Sequence, residues 1–140
     1  METLQNNIKI VEVIPLTIHD GDSNTDLASD AVDTYQTADG PSFDSGLFIA
    51  QLGAVGADIS ALTLTIQEDD DENFSSPTTA DGGAATDVSA GDSTFTFQVK
   101  RTKRYLRAYL AVTEDGAADD VEIAVSAVLN NWAKPYPTVV

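Results

Sequence analysis

The chain has 140 residues, no cysteine, and 23 carboxylates against seven lysines and arginines, for a formal net charge of -16. The missing thiols exclude disulfides, thiolate zinc sites and cysteine nucleophiles, and the acidic surface disfavours nucleic acid and anionic membrane as partners. An apolar fraction of 42% is too high for a disordered chain, and the length suits one domain, expected over residues 1–140.

The N-terminal "METLQNNIKI" lacks the basic and apolar regions of a signal peptide, so synthesis in a cytoplasm is expected. No apolar run reaches the ~18–20 residues needed to span a bilayer. The first extended run is "IKIVEVIPLTI" (residues 8–18), where Pro15 confines that part to a sheet edge or a bulge. "DGDSNTD" (20–26) then spaces Asp20, Asp22, Asn24 and Asp26 at alternate positions, as in the first half of a calcium loop. Thr25 and Ala31 stand where an EF-hand needs its glycine and its bidentate glutamate, so a solvated turn is the plainer reading. His19, the only histidine, and Asp20 are sequence neighbours that a strand would point to opposite faces. "SDAVDTYQTA" (29–38) is the best candidate for a short helix or turn, with Ser29 as its cap.

"SGLFIAQLG" (45–53) and "ISALTLTIQ" (59–67) alternate like strands, the second setting Leu62, Leu64 and Ile66 against Thr63 and Thr65. "EDDDEN" (68–73) opens with five consecutive acids and reads as an exposed acidic loop, part of a loop-like stretch over about 68–92 that matches another over about 19–44. "TFTFQVK" (94–100) alternates Phe95, Phe97 and Val99 against Thr94, Thr96 and Gln98.

"VKRTKRYLRAYLAV" (99–112) breaks the charge pattern. Five of the seven basic residues, Lys100, Arg101, Lys103, Arg104 and Arg107, lie in eight positions, whereas residues 1–99 hold 18 acids and one lysine. As a strand this stretch puts Leu106, Ala108, Leu110 and Val112 on a core face and Lys103, Tyr105, Arg107 and Tyr109 on the other. Alternating Tyr and Arg on an exposed sheet face is the composition of a protein interface. The plainer alternative is that the cations neutralise carboxylates of the same subunit. "VEIAVSAVL" (121–129) is a last alternating strand, and "NNWAKPYPTVV" (130–140) reads as an extended arm. In that arm Trp132 and Tyr136 either close the end of the domain or anchor it on a neighbour.

Period-2 segments separated by turn residues predict an all-β, single-domain antiparallel sandwich or barrel. No nucleophile elbow, phosphate loop or dinucleotide fingerprint is present, so no enzyme and no cofactor are expected. The strands "FQVKRTKRYLRAYLAVT" and "VEIAVSAVLNNW", with "LTLTIQEDDDENFSS" before them, resemble those of tailed-bacteriophage capsid decoration or cement proteins, closely over about 94–132 and loosely over 45–76. That resemblance implies a jelly-roll-like sandwich, commonly a homotrimer, on the outer surface of the virion, where it clamps major capsid protein subunits together. The charge cluster, the Tyr and Arg alternation and the aromatics of the arm mark the expected subunit or capsid interface as Lys100, Arg101, Lys103, Arg104, Tyr105, Arg107, Tyr109, Trp132 and Tyr136. A phage tail or connector component, and a calcium-assisted carbohydrate-binding sandwich with Trp132, Tyr105 and Tyr109 as a stacking platform, are the competing readings.

Overall fold

A computed structural model of the chain describes residues 8–20, 25–35, 43–116 and 119–130. Ten strands run through them: β1 (Ile8–Asp20), β2 (Leu27–Ala28), β3 (Val32–Asp33), β4 (Ser45–Val55), β5 (Ile59–Asp69), β6 (Thr78–Thr79), β7 (Thr86–Asp87), β8 (Ser93–Lys100), β9 (Tyr105–Glu114) and β10 (Asp120–Asn130). Every pairing between them is antiparallel. One sheet has the order β1-β10-β4-β8; the other centres on β9 and β5, with β2 and β3 along the outside of β9 and β6 and β7 along the outside of β5.

Each pair of short strands acts as one interrupted strand, since β2 and β3 both pair with β9 and β6 and β7 both pair with β5. Counted so, eight strands occur in the spatial orders 1-8-3-6 and 2-7-4-5. That is the jelly-roll arrangement, in which the chain passes repeatedly from one sheet to the other. The two segments expected to be loops, 19–44 and 68–92, supply the interrupted strands. Their Asp, Gly, Ser and Thr content carries no clear alternation, and each pairs over only two residues at a time.

Ser29 caps no helix. Its amide donates to the Ala108 carbonyl (2.9 Å) and its hydroxyl accepts from the Ala108 amide (3.0 Å), so it takes a partner's place in the gap between β2 and β3. Pro15 lies where its missing N–H is tolerated: β1 is an edge strand, and its register against β10 shifts between Glu12 and Ile14 and again between Ile14 and Thr17.

The core lies between the sheets and follows the alternation. Leu62, Leu64 and Ile66 of β5, Leu106, Ala108 and Leu110 of β9, Phe48 and Ala50 of β4, and Val121, Ile123, Ala127 and Leu129 of β10 are all fully buried. At ~1.5–3 kcal/mol for each large aliphatic or aromatic side chain removed from water, this layer outweighs any single surface contact. Gly82, at φ 84°, lays the 81–83 turn against β8, where a Cβ would collide with the Gln98 carbonyl. The arm at 131–140, with Trp132 and Tyr136, lies outside the described residues.

Candidate interaction surface

Strand direction divides the charge between the two ends of the sandwich. At one end lie the start of β1, the end of β8, the 101–104 turn and the start of β9, and with them Lys9, Lys100, Arg101, Lys103, Arg104 and Arg107. These are all the lysines and arginines among the described residues. At the other end lie Asp20, Asp58, Asp92, Asp115, Asp119 and Asp120, with Glu114 and Glu122 beside them and no described lysine or arginine.

The basic end is built by its acids. Glu68, a buried residue at the end of β5, accepts hydrogen bonds from the Thr102 amide (2.7 Å), the Thr102 hydroxyl (2.6 Å) and the Lys103 amide (3.2 Å). Asp70 accepts from the Arg104 amide (3.1 Å). Carboxylates therefore hold the backbone of the basic turn. Asp69, also buried, accepts from the Asp71 amide (3.1 Å) and the Ser76 amide (2.8 Å). Those backbone donors hold its carboxyl below the usual aspartate range. The acidic run expected to be plain exposed loop is thus structured, and two of its five acids are buried.

The arginines reach across to the interrupted strands. Arg104 Nε and its terminal nitrogen donate to the two carboxylate oxygens of Asp33 on β3, at 3.0 and 2.8 Å. This fork holds the Asp33 carboxyl below its ordinary range and raises the guanidinium further. The Arg104 guanidinium also stacks on Tyr35 (4.8 Å to the ring centroid) and Tyr105 (5.0 Å). The Arg101 guanidinium lies 5.1 Å from the same Tyr35 centroid, and its Nε donates to the Phe43 carbonyl. Arg107 donates to Gln67 Oε1 (2.8 Å) and lies over Phe74 (4.4 Å) and Tyr109 (5.2 Å). Phe74 is buried at φ 51°, a left-handed backbone that a turn bond from its amide to the Asp71 carbonyl maintains.

The structure therefore brings together seven of the nine expected interface residues. Lys100, Arg101, Lys103, Arg104 and Tyr105 surround the turn, Arg107 and Tyr109 continue along the outer face of β9, and Trp132 and Tyr136 fall outside the described residues. Only one of the five clustered cations, Arg104, forms a salt bridge with a described carboxylate. Direct ion pairing among the described residues thus involves one of the five.

Several partners had no sequence signal. Asp33, Tyr35, Gln67 and Phe74 come from other strands and turns, and only the register joins them to the cluster. Asp26, from the calcium-like stretch, accepts from the Tyr109 hydroxyl (2.6 Å) and the Val112 amide (2.9 Å), which raises the phenol's pKa. Asp22 and Asn24 lie outside the described residues, and no group of three potential metal ligands occurs among the described ones. No described helix is long and apolar enough to cross a membrane.

No protein-family model matches the chain, and no curated protein matches it. Among solved structures, the crystal structure of PBSX exported protein XepA is similar to all of this chain, with a TM-score of 0.61 at 18% identity. The chain spans 42% of that protein's length. At this identity the likeness is one of fold.

Proposed function

We propose that the protein is a structural virion component of a bacteriophage, a decoration or cement subunit that binds the outer surface of the capsid and bridges neighbouring major capsid protein subunits. The observation that carries this reading is the uneven placement of cations on the sandwich: every described lysine and arginine lies at one end, with tyrosines beside them, and the other end has carboxylates but no described lysine or arginine. A shell protein that joins two different subunits needs two unlike docking surfaces. Complementary charge gives each of them orientation and register.

Two further findings support it. The fold is a jelly roll, and it is shared with the PBSX exported protein XepA. Lys100, Arg101, Lys103 and Arg107, which have no salt bridge to a described carboxylate, are available to a carboxylate-bearing partner. Tyr35 and Tyr105 broaden that surface with ring area. Self-association as a homotrimer, with this basic face on the acidic face of the next copy, belongs to the same reading. Placement on the outer shell without cofactor, nucleic acid or membrane contact completes it.

The test is co-sedimentation of the purified protein with shells assembled from the cognate major capsid protein. Saturable binding, with shells that then resist heat or denaturant, is the expected result. Absence of binding at any salt concentration would remove the reading.

A further inference from the structure

The three arginines of the basic end use their guanidinium groups differently. Arg104 commits Nε and one terminal nitrogen to the two oxygens of Asp33, a side-on fork closed within the chain. Arg101 commits only Nε, to the Phe43 carbonyl, beside the exposed ring of Tyr35. Arg107 also commits only Nε, to the side chain of Gln67, which is its cross-strand partner in the β9–β5 register. Its guanidinium lies over two rings that are themselves fixed: Phe74 is buried and tied by its turn bond to Asp71, and the Tyr109 hydroxyl donates to Asp26. No acceptor among the described residues takes either terminal nitrogen of Arg107, and neither is among the buried polar atoms that lack a hydrogen bond, so both face solvent.

We infer that Arg107 is the anchor of the basic docking surface, and that its two terminal nitrogens receive, end-on, the carboxylate of an aspartate or glutamate side chain on the partner. A guanidinium whose Nε is already bonded keeps one bidentate edge, and that edge matches the two oxygens of a carboxylate. Gln67 and the two rings fix the group before any partner arrives, so little rotamer freedom is lost when it binds. Lys100 and Lys103 make no side-chain hydrogen bond to a described residue and must be ordered on binding. They act as a solvated rim, where an ion pair contributes little. The surplus of carboxylates over the whole chain disfavours a polyanion such as nucleic acid and leaves an isolated carboxylate on a protein surface as the fitting group. This deepens the docking reading given above and rests on it for the partner being a capsid protein.

Two titrations of the full chain at physiological salt test it, one with capsid shells and one with a peptide of six glutamates. Arg107→Lys keeps the charge and removes the fork. It should weaken binding to both probes about tenfold, as for the loss of one charge-assisted hydrogen bond, with a circular dichroism spectrum like that of the wild type. Lys103→Ala removes a whole charge from the same end and should weaken binding about threefold or less. An Arg107→Lys variant that keeps wild-type affinity for either probe, a Lys103→Ala variant that loses as much, or a wild type that does not bind the glutamate peptide would overturn the inference. None of those results requires wild-type binding to shells to fail. Conversely, a wild type that binds the peptide through Arg107 but binds no shell would remove the capsid reading and leave the carboxylate fork in place.

Discussion

The two ends of the sandwich both turn carboxylates onto backbone amides, but only one of them has lysines and arginines among its described residues. At the basic end, Glu68 and Asp70 turn inward onto the amides of residues 102–104, and Asp33 locks Arg104 against β3. At the acidic end carboxylates crowd together without a described lysine or arginine. The Asp119 side chain there accepts from the Asp58 amide (2.6 Å). The comparison shows that net charge says little about what a carboxylate does. An aspartate facing backbone donors is part of the fold, at the acidic end as at the basic one, and a surplus of carboxylates around it is a field that a cationic partner can relieve.

The largest effect is expected from Glu68→Ala. It leaves two backbone amides and a hydroxyl of the half-exposed 101–104 turn without their acceptor, and should cost about 1.5–3 kcal/mol in urea unfolding. The basic turn would loosen with it. Asp26→Ala removes the acceptor for the Val112 amide and the Tyr109 hydroxyl and should cost about 1–2 kcal/mol by the same assay. Arg104→Ala breaks a half-exposed fork, and its cost should stay within about 1 kcal/mol. A larger loss would show that the Arg101–Tyr35–Arg104 stack acts as one unit. Asp115→Asn, at the acidic end, should be neutral or slightly stabilising, since it removes one repelling charge.

Acid should also separate the ends. Asp33, Asp69, Asp71 and Asp87 are held below the ordinary carboxyl range. Their contribution is present above the unfolded pKa of about 4 and is lost as pH falls through their lower folded values. Tyr109 has the opposite sign: its phenol is raised, so that contribution is complete below about pH 10 and is lost as pH rises through the folded value. Thermal melts from pH 7 to pH 2, and again from pH 9 to pH 12, should show both losses. The alkaline loss should vanish in Tyr109→Phe.

The sequence made the long strands legible because their cores obey a strict period of two. β4, β5, β8, β9 and β10 could be read from Phe, Leu, Ile and Val alternating with Thr, Gln and Ser. Pro15 marked the edge character of β1. The short strands were not legible: β2, β3, β6 and β7 pair over two residues each, so no alternation develops, and their segments looked like loops. The basic cluster stood out by composition. Its partners did not, because Asp33, Tyr35 and Phe74 reach it through jelly-roll register rather than local spacing. The exposure of Leu16 on β1 was equally hidden, since the burial pattern around Pro15 departs from simple alternation at the bulge.

The salt dependence of binding to capsid shells tests the central claim most directly, measured for the wild type and for Asp92→Asn/Asp115→Asn/Asp120→Asn. These three aspartates are exposed at the acidic end. Wild-type binding should weaken steeply as salt rises, and the triple variant should bind weakly with a shallower slope while remaining folded. Binding of equal strength by both proteins, indifferent to salt, would contradict an account in which the acidic end is one of two docking surfaces that charge orients.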